Sequence, residues 1–298
     1  MTKAFLIVNP SSGGEEAKQY EDQATAKLQE LFQEVIVKHT EKAGDATDFA
    51  KEAAKERIDS VFAMGGDGTV NEVISGLAEE EFRPTFGFFP LGTVNDLGRA
   101  LNLPMDPEEA ISQLSLDRTS SLDIGKINDQ YFMNVVAIGT IPESINDVDV
   151  EDKTKFGKLA YFASGIKHVI GNKSYDFEVT LDEKTQEITS STIIIALTRS
   201  VGGFEQLLAD AEVNDGKMHA IYLKDESLLD TVKSLPDLIK GVDKSTDNLG
   251  YETFSKGQIA LKEGELGTNI DGDEGPKLPI HLEILPSHLT VYTGKAND

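Results

Sequence analysis

The chain has 298 residues, with 28 Lys plus Arg against 52 Asp plus Glu, a formal net charge of −24. That balance excludes a protein that tracks nucleic-acid phosphates, which requires a basic stripe, and argues against global attraction to an anionic membrane. The absence of cysteine removes disulfides, thiolate zinc sites and Cys nucleophiles, while a 39% apolar content supports sizeable cores.

In chain order, residues 4–8 read as a buried strand. They are too short an apolar run for a signal peptide, and no segment approaches the ~20 apolar residues of a membrane helix. The expectation is a soluble, cytoplasmic protein. A charged amphipathic helix follows to about residue 35, with Ala24, Leu28, Leu31 and Phe32 on one side. A strand begins near Glu34, and Asp45 reads as the N-cap of a helix over 46–56. Residues 60–64 form a strand that enters Gly65-Gly66-Asp67-Gly68-Thr69, and a helix follows to about Glu79. Residues 85–89 form another strand, then come a short helix over 95–101 and one opening at Pro107. Strands alternating with helices predict a parallel α/β layer.

Beyond Ser120 the texture changes. Short strands are expected at 175–181, 192–197, 218–223, 258–261, 282–285 and 289–292, interrupted by helices at 157–170 and 228–239. Many short strands with turns predict an antiparallel sandwich or barrel. The expected fold is thus an N-terminal Rossmann-like, phosphofructokinase-like three-layer α/β domain with a C-terminal antiparallel β-sandwich. Residues 1–122 with 287–298 form the nucleotide domain, and 123–286 the β-rich domain.

Three strand-end loops carry the chemistry. Gly65-Gly66-Asp67-Gly68-Thr69 sits where a strand meets a helix. Glycines there admit close ligand approach, and the first helix amides are unpaired donors at the positive end of the dipole. Asp67 can hold Mg²⁺ directly or through water, and Thr69 adds a hydroxyl. Neither a P-loop nor GxGxxG is present. Asn9-Pro10-Ser11-Ser12-Gly13-Gly14 and Pro90-Leu91-Gly92-Thr93-Val94-Asn95-Asp96 are two further such loops. In an open α/β sheet all three converge on the carboxyl edge of the strands, which favours a nucleotide site. Two acidic stretches remain open from their residues alone. Asn214-Asp215-Gly216 suits a plain hairpin turn or a metal loop. Asp271-Gly272-Asp273-Glu274 suits an acidic turn or a catalytic carboxylate pair.

Together with Gly65 through Glu72 and Gly92 through Arg99, these motifs resemble the diacylglycerol kinase catalytic-domain family, which includes soluble bacterial lipid kinases and sphingosine kinases. Asp123-Ile124-Gly125, Tyr131 through Asn134, Lys155 through Tyr161, Gly202-Gly203-Phe204, Asn214 through Lys217 and Asn269 through Asp273 extend the resemblance along the chain. It implies that Asn9, Pro10, Ser11, Ser12, Gly13, Thr40, Gly65, Gly66, Asp67, Gly68, Thr69, Val70, Asn71 and Thr93 bind ATP, with Asn95 and Asp96 completing the third loop. It implies a structural Mg²⁺ held by the Asp215 carboxylate and the Glu212 and Lys217 carbonyls. It also implies that Asp271 acts as base with Asp273 as its partner, although Asp273 stands where such kinases carry Glu. Arg199-Ser200-Val201 replaces the Asn often found before Gly-Gly-Phe.

The expected activity is ATP- and Mg²⁺-dependent phosphorylation of a lipid hydroxyl, most simply diacylglycerol giving phosphatidic acid, by a protein that visits the membrane peripherally. Two other readings stand beside it: a kinase of a soluble substrate of the NAD-kinase kind, and a non-catalytic nucleotide or lipid sensor. An exposed strand edge could pair two copies into a homodimer.

Overall fold

The structure is a computed structural model that describes residues 2–12, 17–139, 174–201, 207–224, 241–247 and 249–295. Gly13, the expected helices at 157–170 and 228–239, and the motif stretches 155–161 and 202–204 lie outside the described residues.

The first half holds four parallel strands, β1 (Lys3–Val8), β2 (Glu34–His39), β3 (Ser60–Gly65) and β4 (Thr85–Pro90), in the spatial order β2-β1-β3-β4. They are joined by α1 (Ala17–Leu31), α2 (Asp45–Lys55) and α3 (Asp67–Ala78), and followed by α4 (Asp96–Ala100) and α5 (Pro107–Gln113). The period-2 alternation of the strands sorts side chains into two layers. Phe5 and Ile7 of β1 pack with Ala50, Val73 and Ile74 of α2 and α3. Ala4, Leu6 and Val8 pack with Ala24, Leu28 and Ile111 of α1 and α5. Three layers result, as expected.

One helix start differs from its sequence reading. Asp45 does not cap α2; Gly44, at φ 89°, occupies the N-cap, and the Asp45 carboxylate accepts from the Glu41 and Lys42 amides of the preceding turn. The Ala46 amide instead donates to Glu72 Oε2 of α3 at 3.3 Å. A tertiary acceptor thus satisfies one of the free amides at this helix start.

The second half holds β5 (Thr119–Ile127), β6 (Gln130–Phe132), β7 (Val135–Gly139), β8 (Tyr175–Leu181), β9 (Lys184–Ser190), β10 (Thr192–Ala196), β11 (Met218–Leu223), β12 (Leu249–Phe254), β13 (Lys256–Leu261), β14 (Thr268–Ile270), β15 (Asp273–Glu274) and β16 (Ile280–Tyr292). Among the described residues, one sheet runs β2-β1-β3-β4-β16-β13-β8-β9, with β5 on β16 and β6 on β5. A second runs β12-β11-β10-β7-β14-β15. Phe177, Val179 and Ile259 from the first sheet meet Val136, Ile138, Ile193, Ile195 and Ile270 from the second in one buried cluster. This is the core of an antiparallel sandwich.

The two late strands read from the sequence are a single strand, β16, of 13 residues. A bulge between Leu285 and Leu289, with Ser287 at φ 48°, turns it part-way along. Before the bulge it pairs with β13; after it, Val291 lies beside Phe86 of β4 in parallel register. One strand thus belongs to both halves. Asp123 secures the bend, its carboxylate accepting from the Ser287 and Gly216 amides at 2.6 Å each. Burial raises the Asp123 carboxyl above its usual range, and those two amides work against the rise.

The join is closed by aromatic packing. Phe62 of β3 is fully buried and stacks between Phe89 of β4 and Tyr292 of β16, with ring centroids 5.9 and 5.3 Å away. Phe32 meets its edge at 5.9 Å. Phe62→Ala is expected to lower stability by about 3–5 kcal/mol, because the cavity is walled by rings from three elements that cannot collapse together. Denaturant titration should show a reduced midpoint with an unchanged slope.

Candidate active site

The chain leaves β1 toward β2 on one side and reaches β3 on the other, so the loops after β1 and β3 face each other across a topological switch point. Their side chains interlock. Asn9 Nδ2 donates to Thr69 Oγ1 at 3.0 Å, and the Gly66 amide donates to Ser12 Oγ at 3.2 Å. Asn9 Oδ1 accepts from the Ser11 amide and hydroxyl, which fixes the turn. Thr40 joins this edge through its amide, which donates to the Val8 carbonyl at 2.9 Å.

The β4 loop closes over the same edge. The Asn95 amide donates to Asp67 Oδ2 at 3.2 Å, while the Asn95 side chain brackets Gly92 by accepting from its amide and donating to its carbonyl. A Cβ on Gly92 would lie 2.6 Å from Asn95 Oδ1 and 2.7 Å from Asp67 Oδ2, so a side chain there would push both groups out of this arrangement. Above Gly68 the opposite holds. That residue is exposed, and a Cβ there would meet nothing within 4 Å. The Gly68 and Thr69 amides of the first turn have no intrahelical acceptor and open toward this space. The result is a lined cradle at a positive helix end, suited to phosphate.

Asp271 arrives from the second half. Asp271 (φ 51°) and Gly272 (φ 104°) form the tight turn between β14 and β15. The Asp271 amide donates to the Val135 carbonyl at 2.9 Å. Its carboxylate accepts from three successive amides, Met133 at 2.8 Å, Asn134 at 3.0 Å and Val135 at 2.7 Å. A fourth donor, Asn71 Nδ2, comes from α3 at 3.2 Å. Burial pushes the Asp271 carboxyl up to about 6; the amides oppose this, and the charge of Asp67 adds to it. The Asp67 carboxyl is also raised, first by burial and then by Asp96. Asp96 is buried and accepts from Ser200 Oγ at 2.6 Å. Three carboxylates from two halves of the chain therefore converge on one crevice.

The Glu212–Lys217 turn is separately built. Asp215 Oδ1 accepts from the Lys217 amide at 2.9 Å. Its Oδ2 accepts from the Glu212 amide at 3.3 Å and meets His219 Nε2 at 2.9 Å. Burial acts to raise the Asp215 carboxyl, but the His219 contact and the two amides outweigh it and hold it below the usual range. Among the described residues no group of three His, Asp or Glu side chains is arranged for a metal. The Asp215 carboxylate and the carbonyls of this turn are hard oxygen donors of the kind Mg²⁺ accepts.

The sequence-derived residues thus fall into groups. Asn9 pairs with Thr69, Ser12 with Gly66 and Asn95 with Asp67, Asp96 is held by Ser200, and Asn71, further along α3, meets Asp271. Pro10 and Ser11 complete the first turn, Gly65 ends β3, and Thr93 is exposed on the third loop. Val70 is set apart, with its side chain in the core and its amide bonded to the Gly66 carbonyl. Asp273 is exposed on β15, one residue beyond the turn. Met133 and Asn134 lie in the Tyr131–Asn134 stretch and Ser200 in the Arg199–Val201 stretch, yet neither stretch marked the Met133–Val135 amides or the Ser200 hydroxyl as site components. The amides carry no side-chain signature.

The comparisons cover both halves. Residues 3–127 match the diacylglycerol kinase catalytic domain, and residues 135–293 match the YegS C-terminal NAD kinase beta sandwich-like domain. A diacylglycerol kinase from Bacillus subtilis (strain 168) is 34% identical over 99% of this chain and 97% of its own length. One from Staphylococcus haemolyticus is 34% identical over 98% of this chain and 88% of its own. A diacylglycerol kinase crystal structure from Bacillus anthracis str. Sterne superposes with a TM-score of 0.80 at 25% identity, covering 98% of this chain and 97% of that one.

Ser200→Ala leaves the buried Asp96 carboxylate without its hydroxyl donor. The expected cost is about 0.5–1.5 kcal/mol, the net contribution of one hydrogen bond. Chemical denaturation of the two proteins side by side measures it, and Ser200→Thr should recover part of the loss.

Proposed function

Because the chain belongs to the diacylglycerol kinase catalytic-domain family, and is a lipid-kinase enzyme of that family, we propose that it transfers the γ-phosphoryl group of ATP to the hydroxyl of diacylglycerol, giving phosphatidic acid. The observation that carries this reading is the 3.2 Å contact between Asn71 and Asp271. It sets a carboxylate with a raised pKa beside the amide-lined first turn of α3. Phosphoryl transfer needs positioned phosphates, charge compensation and an acceptor for the alcohol proton. The Gly66–Thr69 turn, with Asn9, Ser11, Ser12, Thr40 and Thr93 around it, would hold the triphosphate. Asp271 would take the proton, and the exposed Asp273 would assist at the mouth of the crevice.

Mg²⁺ accompanying the nucleotide would offset phosphate charge. Asp67 and Asp96 supply ionisable oxygens for it on the nucleotide side, and Asp215 with the Glu212 and Lys217 carbonyls would hold a structural ion in the second half. Residues 1–122 with 287–298 would carry ATP, and 123–286 the lipid. No helix among the described residues is long and apolar enough to cross a membrane, so a lipid substrate would be met at a membrane surface by peripheral contact. The edge strand β9 offers one place where a second copy could add to the sheet.

The test is phosphorylation of a panel of diacylglycerol, ceramide, sphingosine, undecaprenol and NAD with ATP and Mg²⁺. Product from diacylglycerol supports the proposal, and product from NAD alone would falsify it. Asp271→Asn is expected to lower kcat/KM by about 10²–10⁴-fold, the range supplied by general base catalysis. A base must be ionised to act, and the carboxyl titrates at about 6. Activity should therefore be full above that pH and fall about tenfold per unit below it.

Mg²⁺ binding by the folded protein alone should raise its melting temperature. Asp215→Asn is expected to abolish most of that rise, read by thermal unfolding with Mg²⁺ against EDTA.

A further inference from the structure

A carboxylate has four acceptor positions, two on each oxygen. In Asp271 all four are filled. Oδ1 accepts from the Asn134 and Val135 amides, and Oδ2 from the Met133 amide and Asn71 Nδ2. A substrate hydroxyl can pass its proton to this group only by taking one of those places.

Three of the four donors are main chain. They lie at the β6–β7 connection, and β7 is pinned on both sides, to β10 and to β14. Removing any of them means unpicking the sheet. The fourth donor is a side chain on another element, it makes the longest of the four contacts, and rotation about its own bonds can withdraw it. The orientation of the Asn71 amide is also set. Ser75 Oγ, one turn further along α3, donates to Asn71 Oδ1 at 3.1 Å, so Nδ2 is the end that faces Asp271. Both ends of the amide are thereby engaged away from the phosphate cradle.

We propose that Asn71 is a positioning residue for proton transfer, holding Asp271 Oδ2 toward α3 and ceding that acceptor position to the lipid hydroxyl. This rests on the reading of Asp271 as base. It adds where the hydroxyl docks, on the α3 side of Oδ2, and it assigns Asn71 to the acceptor alcohol instead of to ATP. The hydroxyl donates to Oδ2 in place of Nδ2. Its oxygen then forms the new bond to the γ-phosphorus while the bond from that phosphorus to the β,γ-bridging oxygen breaks. The hydroxyl proton ends on Oδ2, and ADP departs with the bonding pair. Asp67, at the start of α3, is the charged group acting on Asp271 across the crevice. Asp273 and Glu274, on its own hairpin, are exposed, and residues 133–135 present amides only.

The test compares Asn71→Leu, which keeps bulk and removes the donor, with Ser75→Ala, which only frees the amide to turn. Asn71→Leu is expected to lower kcat about tenfold while the Kd for ATP stays within about twofold. The acid limb of its kcat/KM profile should move to higher pH, because the charged carboxylate has lost a hydrogen bond that favoured it. Ser75→Ala should move both readouts the same way by less, and it carries the test should Asn71→Leu fail to fold. Loss of ATP affinity beyond about fivefold would make Asn71 a nucleotide ligand and overturn the proposal. So would an unmoved kcat and acid limb. Asp271→Asn separates the two levels. If that variant stays active, the base assignment falls first; if it is inactive while the Asn71 and Ser75 variants are kinetically silent, only the positioning role falls.

Discussion

β16 is the constraint from which the rest of the architecture follows. A strand that pairs with β13 at one end and lies beside β4 at the other makes one hydrogen-bonded sheet out of what would otherwise be two separate layers. The halves are therefore held by main-chain pairing and a buried aromatic stack, and not by a linker. That rigidity matters because the crevice is assembled from both sides. The cradle amides come from the β3–α3 junction, while Asp271 comes from a hairpin at the end of the second sheet. The bulge at residues 285–289 sets the angle between the two parts of the strand, and Asp123 fixes it by binding the Ser287 amide directly.

The site is acidic within an acidic protein. Asp67 and Asp271 are each withdrawn from water, which penalises their charged forms. Each is partly compensated by donors built into the fold, the Asn95 amide on Asp67 and three amides with Asn71 on Asp271. The compensation is incomplete, and both carboxyls stay raised by burial and by neighbouring negative charge. Residual like-charge repulsion in a crevice is a condition that a cation relieves. In the proposed reaction, Mg²⁺ accompanying the nucleotide would bring that relief together with the substrate.

Much of the first half was legible because its signals are local. Apolar runs such as Ala4–Val8 mark strands, Gly and Asp at strand ends mark turns into helices, and a proline at Pro107 marks a helix start. The Asp45 cap was misjudged for the same reason that the others succeeded. A side chain of the right type stood at the right place, but its carboxylate turned back to the Glu41 and Lys42 amides of the preceding turn. In the second half, β5 was not anticipated because its Thr119-Ser120-Ser121 start, Asp123, Gly125 and Lys126 blur the alternation of a half-buried strand, and β7 because it is a short apolar run of five residues. Residues 282–285 and 289–292 looked like two strands because Pro286 and Ser287 read as a break, whereas a bulge absorbs them within one strand.

The sequence by itself determined the chemical inventory: glycine-rich turns at strand ends, carboxylates at residues 67, 96, 215 and 271, no thiol, and a helix after each of those turns. These follow from residue type and spacing over a few positions. Only the tertiary structure decided which of those groups meet. That Asn71 faces Asp271, 200 positions away, that Ser200 holds Asp96, and that three anonymous amides cradle the catalytic candidate depend on how β16 joins the sheets. Main-chain donors have no letter in the sequence, and long-range pairs are set by strand register, which no short window of residues contains.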